Sequence, residues 1–272
     1  MRFLSLTLLF TVSFTVLQAQ PPAKPIKKVL ELKIPREGGA NGASVAWHPV
    51  LKRYYAAMAG NITYCLAVFD VTGKRISQPD LSTNFDVRGL WYNPKTKTLQ
   101  MNGYNDFGWG EYKLNSKGFP DSVKILHNGM NQPSEQSIGT FNPLKNVVYF
   151  LNDEGNLDVY DYKDGLYQEN IELTLGKTKK DAEQNDEEHT DDESVLDDYN
   201  SAIVYTGIPG SEIGIFNHIE KQVELYNLKD GHLVRKIVLP GDAPVNTFLN
   251  FAYTNGIWWL FDKDARIWKG YK

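Results

Sequence analysis

Acid–base chemistry needs two carboxylates facing one substrate, and Asp86 and Glu135 are the pair this chain offers for it. Arg88 stands two residues from Asp86 and would pair with a ligand carboxylate. The segment Tyr104-Asn105-Asp106-Phe107-Gly108-Trp109 supplies two rings, Tyr104 and Trp109, that would stack on a sugar or peptide ring. Asn41 and Asn246 add amide groups for hydrogen bonding. Trp109 has a second reading, as a side chain packed between structural units, and the sequence leaves both open.

Other chemistries find no support. The chain lacks Gly-x-Ser-x-Gly, His-Glu-x-x-His, Cys-x-x-Cys and a phosphate-binding glycine loop. Its five histidines, His48, His127, His189, His218 and His232, are scattered, and zinc ligation would have to do without cysteine help. Cys65 is the sole cysteine, so no intramolecular disulfide can form, and its setting in Tyr64-Cys65-Leu66-Ala67-Val68-Phe69 reads as a buried thiol.

Charge is unevenly placed. Residues 181–198 hold ten carboxylates and no Lys or Arg, so the −4 net charge of the chain conceals a positive body carrying an acidic insert. Like charges this dense oppose compaction, and a disordered insertion is expected at about residues 177–198. Weak calcium binding is its functional alternative, although the Asp-x-Asp-x-Asp-Gly spacing of a tight calcium loop is missing. A pI near 5.8 argues against a nucleic-acid partner.

The elements that must position these groups follow from a repeat. Proline turns occur at Trp47-His48-Pro49, Tyr92-Asn93-Pro94, Phe141-Asn142-Pro143 and Gly207-Ile208-Pro209, with Tyr253-Thr254-Asn255-Gly256 as a fifth, proline-free version. Once the acidic insert is set aside the spacing is roughly 46 residues, the length of a propeller blade or solenoid unit. Each unit also carries an apolar–aromatic pair and a polar turn, such as Val68-Phe69-Asp70-Val71-Thr72-Gly73 and Val159-Tyr160-Asp161-Tyr162-Lys163-Asp164-Gly165. Asp70 and Asp161 are expected to cap these hairpins.

The fifth unit ends after its third strand, at Lys272, and residues 28–35 resemble the missing fourth. The expected fold is therefore all-β: a β-propeller of five four-stranded blades, closed by an N-terminal strand that completes the last blade and leaves no open sheet edge. The Phe141-Asn142-Pro143 turn and the Val159-Tyr160-Asp161 strand resemble those of bacterial propellers in the broad YVTN, NHL and WD40-like group. That resemblance implies a ligand site on the face where blades connect, the face holding Asp86, Arg88, Tyr104, Glu135, Asn41 and Asn246, together with Glu37, Gln136, Asn200 and Asp242.

Residues 1–19 read as a signal peptide: Arg2, an apolar run too short to span a bilayer, and Leu17-Gln18-Ala19 before Pro21-Pro22. Residues 20–27 read as a linker and residues 28–272 as one domain; hydrophobic side chains, 42% of the whole chain, can build its core. An exported protein, periplasmic or extracellular and without a transmembrane anchor after cleavage, is expected. Two function classes follow: a non-catalytic propeller binding a protein, peptide or glycan, or a hydrolase or lyase acting on a glycan or small ester through Asp86 and Glu135.

Overall fold

The computed structural model describes residues 23–178 and 195–272. Two strands precede the repeats, β1 (Ala23–Pro25) and β2 (Lys28–Lys33). Blade I contains β3 (Gly42–His48), β4 (Arg53–Met58) and β5 (Leu66–Phe69). Blade II contains β6 (Val87–Asn93), β7 (Thr98–Gly103), β8 (Trp109–Leu114) and β9 (Pro120–His127). Blade III follows with β10 (Thr140–Asn142), β11 (Val147–Leu151), β12 (Leu157–Asp161) and β13 (Tyr167–Ile171). Blade IV is β14 (Tyr199–Tyr205), β15 (Ile213–Asn217), β16 (Gln222–Tyr226) and β17 (Leu233–Val238). Blade V is β18 (Phe251–Thr254), β19 (Ile257–Asp262) and β20 (Ile267–Tyr271), with β2 as its fourth strand.

The first strands touch in the cyclic order β3, β6, β10, β14, β18 and back to β3, so the five blades form a closed ring. Closure runs through β2, whose Leu32 lies opposite Trp268 and whose Lys28 lies opposite Tyr271 in an antiparallel ladder. The expected architecture is thus the observed one. Two details differ. Residues 23–25, inside the segment read as a linker, form β1, which adds in parallel to the outer edge of blade IV with Ala23 opposite Lys236. In blade I the fourth strand is irregular: residues 75–82 meet the third strand through isolated bridges, Phe69 to Arg75 and Cys65 to Ser82, and scattered hydrogen bonds such as Leu66 N–H to the Leu81 carbonyl at 3.0 Å, and Pro79 cannot donate to a ladder.

Side chains explain the turns. Asn93 and Asn142 each accept a hydrogen bond from the backbone N–H two residues on, at 3.0 Å, which fixes the Asn-Pro turns. Asp70 accepts from the N–H of Thr72 at 2.8 Å, and Asp161 from that of Lys163 at 2.6 Å, so both cap hairpins as expected. The Thr72 hydroxyl also donates to Asp70 and holds its carboxyl below the usual value. At the end of the first-to-second-strand turns, Lys52, Lys97, Asn146 and Asn255 all adopt left-handed backbone, with φ of 51°, 60°, 63° and 55°.

This topology gives the ring two faces. Crossovers between blades and the turns joining second to third strands share one, the crossover face. Turns joining first to second strands form the other, the turn face. Buried asparagines tie the blades on the crossover side. Asn102 Oδ1 accepts from both Gly89 and Gly139 N–H at 2.9 Å, and Asn250 Oδ1 accepts from Gly42 N–H at 2.7 Å. Gly89 must be glycine here, since a Cβ would sit 2.2 Å from the carbonyl oxygen of Gly139.

The core lies between blades. Trp259, Trp268, Phe261 and Leu32 fill the seam between blades V and I, while Tyr149, Ile213, Ile215 and Tyr226 fill that between III and IV. Cys65 belongs to the first of these and is 1% exposed, and burial pushes its thiol pKa up. A disulfide reagent should therefore label native protein no faster than the chain opens, and rapid stoichiometric labelling without denaturant would contradict this packing.

Candidate functional site

Five of the expected crossover-face residues do come together. Arg88, on β6, donates from Nη1 to Asp86 Oδ1 at 2.6 Å and from Nε to Gln136 Oε1 at 3.1 Å. Its guanidinium carbon lies 4.8 Å from the centre of the Tyr104 ring, and the Tyr104 hydroxyl donates to Glu135 Oε2 at 2.8 Å. Asp86 also accepts from Gly60 N–H at 2.9 Å. Glu135 raises the pKa of the Tyr104 phenol, which keeps its proton and remains the donor. Asp86 and Arg88 are both buried, so this ion pair bridges loops of blades I, II and III.

The expected asparagines, Asn41, Asn200 and Asn246, are occupied structurally, whereas Glu37 and Asp242 are exposed. Asn41 Oδ1 accepts from Asn250, and Asn246 donates to the Phe261 carbonyl at 3.0 Å while its own carbonyl accepts from Asn200. Trp109 is not at the channel mouth. It is fully buried between blades II and III, with Phe150, Tyr162, His127 and Trp91 around it and its indole N–H on the Asn131 carbonyl at 3.1 Å. Of its two readings, packing is the one realised, because β8 directs the ring into the interblade layer.

The acidic insert falls between β13 and β14 in the chain. The calcium reading falls on residues 181–194, outside the described residues. Residues 195–198, counted with the disordered stretch above, instead form a short 3-10 turn whose Asp197 carbonyl accepts from His218 at 2.7 Å.

A cavity of about 350 Å³ occupies the opposite end of the central channel. All five first strands line it, and its rim is made by the first-to-second-strand turns, including Pro49, Pro94 and Pro143. Every blade contributes at least one aromatic residue: Trp47, Trp91 and Tyr92, Phe141, Tyr205, and Phe251 with Tyr253. No Asp, Glu, His, Lys, Arg or Cys lines it. Burial pushes the phenols of Tyr92, Tyr205 and Tyr253 above their ordinary pKa, so at neutral pH the lining is uncharged. Such a surface can sequester an apolar or aromatic group, but it holds no side chain that titrates near neutrality.

No protein-family model matches this chain, and no curated protein matches it in sequence. Among solved structures, a Myxococcus xanthus glutaminyl cyclase superposes with a TM-score of 0.57 over 93% of this chain and 98% of its own. The fold is a β-propeller. At 9% identity the likeness extends to the fold alone. A chain of a nidogen/laminin complex also matches, with a TM-score of 0.44 and 12% identity over 75% of this chain and 66% of its own.

Proposed function

We propose that this propeller is an exported, non-catalytic binding protein that takes an apolar or aromatic part of its ligand into the central cavity through the turn face. The observation that carries this reading is the uncharged, five-blade aromatic lining. Acid–base catalysis requires groups poised to exchange protons, and the candidate carboxylates on the other face, Asp86 and Glu135, are engaged with Arg88, Gly60 and Tyr104. Export rests on the N-terminal sequence pattern, and among the described residues no helix is long and apolar enough to cross a membrane. Membership of the YVTN, NHL and WD40-like group is part of the same proposal and rests on the repeat motifs.

A neutral apolar fluorophore, N-phenyl-1-naphthylamine, tests the cavity. It should bind one to one and quench tryptophan emission, since Trp47 and Trp91 line the space. Leu90→Trp, which fills the cavity, and Tyr92→Ala, which opens its mouth, should each weaken binding at least tenfold, about 1.4 kcal/mol. Binding that ignores both variants, or turnover of a glycan or ester panel abolished by Glu135→Gln, would overturn the reading.

A further inference from the structure

We infer that the ligand of the central cavity carries a carboxylate, seated at the mouth among Lys52, Lys97 and Lys145. This rests on the cavity reading above and adds the charge class of the ligand. The three lysines stand in the turns of blades I, II and III, the same turns whose Pro49, Pro94 and Pro143 form the rim. Each is exposed, and among the described residues none enters an ion pair. Lys95 stands beside them and donates to Asn146 Oδ1 at 3.3 Å.

The rest of the rim offsets them only in part. Glu212, in the blade IV turn, is a single carboxylate held by backbone donors, Gly210 N–H at 2.6 Å and Leu228 N–H at 3.1 Å, and its charge reaches Tyr205. The blade V turn, Asn255-Gly256, is uncharged and has the Lys272 ammonium beside it. The acids Asp70, Asp161, Asp164 and Asp230 stand in the outer, third-to-fourth-strand turns, each accepting from its own turn. The inner ring is therefore positive around an apolar opening, and the low-dielectric walls focus that field on the mouth.

Turn geometry does not explain the lysines. Lys52 and Lys97 occupy the left-handed position that Asn146 and Asn255 fill in blades III and V, and asparagine adopts that conformation at lower cost. A ligand with an apolar body and a carboxylate satisfies both halves of the site. A neutral apolar ligand satisfies only the cavity, and a cation is repelled at the entrance.

The test compares 2-naphthylacetate with its neutral amide, 2-naphthylacetamide, by calorimetry. At low ionic strength the carboxylate should bind about tenfold more tightly, and the ratio should fall towards one as salt screens the rim. The triple variant Lys52→Asn, Lys97→Asn, Lys145→Asn puts a residue suited to left-handed backbone at Lys52 and Lys97, and it should bring the carboxylate down to the amide without changing the amide itself. Equal affinities in the unaltered protein, or a preference that survives the triple variant, overturn the carboxylate while the cavity reading stands. Failure of both ligands and of N-phenyl-1-naphthylamine overturns the two together.

Discussion

Trp109→Ala should lower stability by about 3–5 kcal/mol and leave ligand affinity unaltered. The ring is fully buried and touches both blades of one interface, with Trp91 at 6.5 Å and Phe150 at 6.4 Å between centroids. An aromatic side chain of this size buries roughly 200 Å², and at about 25 cal/mol per Å² its removal forfeits a few kcal/mol before any cavity cost. The indole N–H is lost as well, leaving the Asn131 carbonyl without its donor. In a domain of this size each kcal/mol shifts the melting temperature by roughly 2–4 °C, so a fall of about 10 °C is expected by calorimetry. An unchanged melting temperature with weakened binding would return Trp109 to a ligand surface.

Deleting residues 28–33 should abolish the cooperative melting transition. That strand supplies the whole ladder to β20 and places Leu32, fully buried, against the Trp268 layer. Its loss uncovers a sheet edge and a core face together, in the one blade assembled from both ends of the described chain. A synthetic peptide spanning residues 26–36 should restore part of the transition when added in excess, because it can only bind the folded ring. A deletion variant that melts like the parent would show that blade V stands without its fourth strand.

The blade count was legible because turn chemistry repeats: Asn93, Asn142, Asp70 and Asp161 make the hydrogen bonds their positions imply. The closing strand was legible from its likeness to β17. Strand β1 was not, since Ala-Lys-Pro has no alternation and pairs in parallel at an outer edge. The crossover-face cluster of Arg88, Asp86, Tyr104 and Glu135 followed from blade order, but sequence could not say that its members would engage one another. Asn41 and Asn246 carried the same ambiguity, as amides serve loops and ligands alike. The central cavity was missed. Its signal was present in the aromatic residue that recurs just before each turn, Trp47, Tyr92, Phe141 and Tyr253, a position read as part of the repeat and not as the wall of a chamber.

Pairing of β2 with β20 also sets an order of events for the chain. Strands within blades are neighbours in sequence and can pair early, whereas Lys28 meets Tyr271 only after every blade between them exists. During synthesis, which proceeds from the N-terminus, β2 must wait unpaired while the rest is made. A waiting strand invites the wrong partner, yet this one reads Lys-Val-Leu-Glu-Leu-Lys, with a lysine at each end and a glutamate between the leucines. Those charges point outward in the finished blade, where Lys28 and Glu31 form an exposed ion pair at 2.7 Å that adds little to stability. Charges placed in this way oppose edge-to-edge pairing of a strand that is still alone.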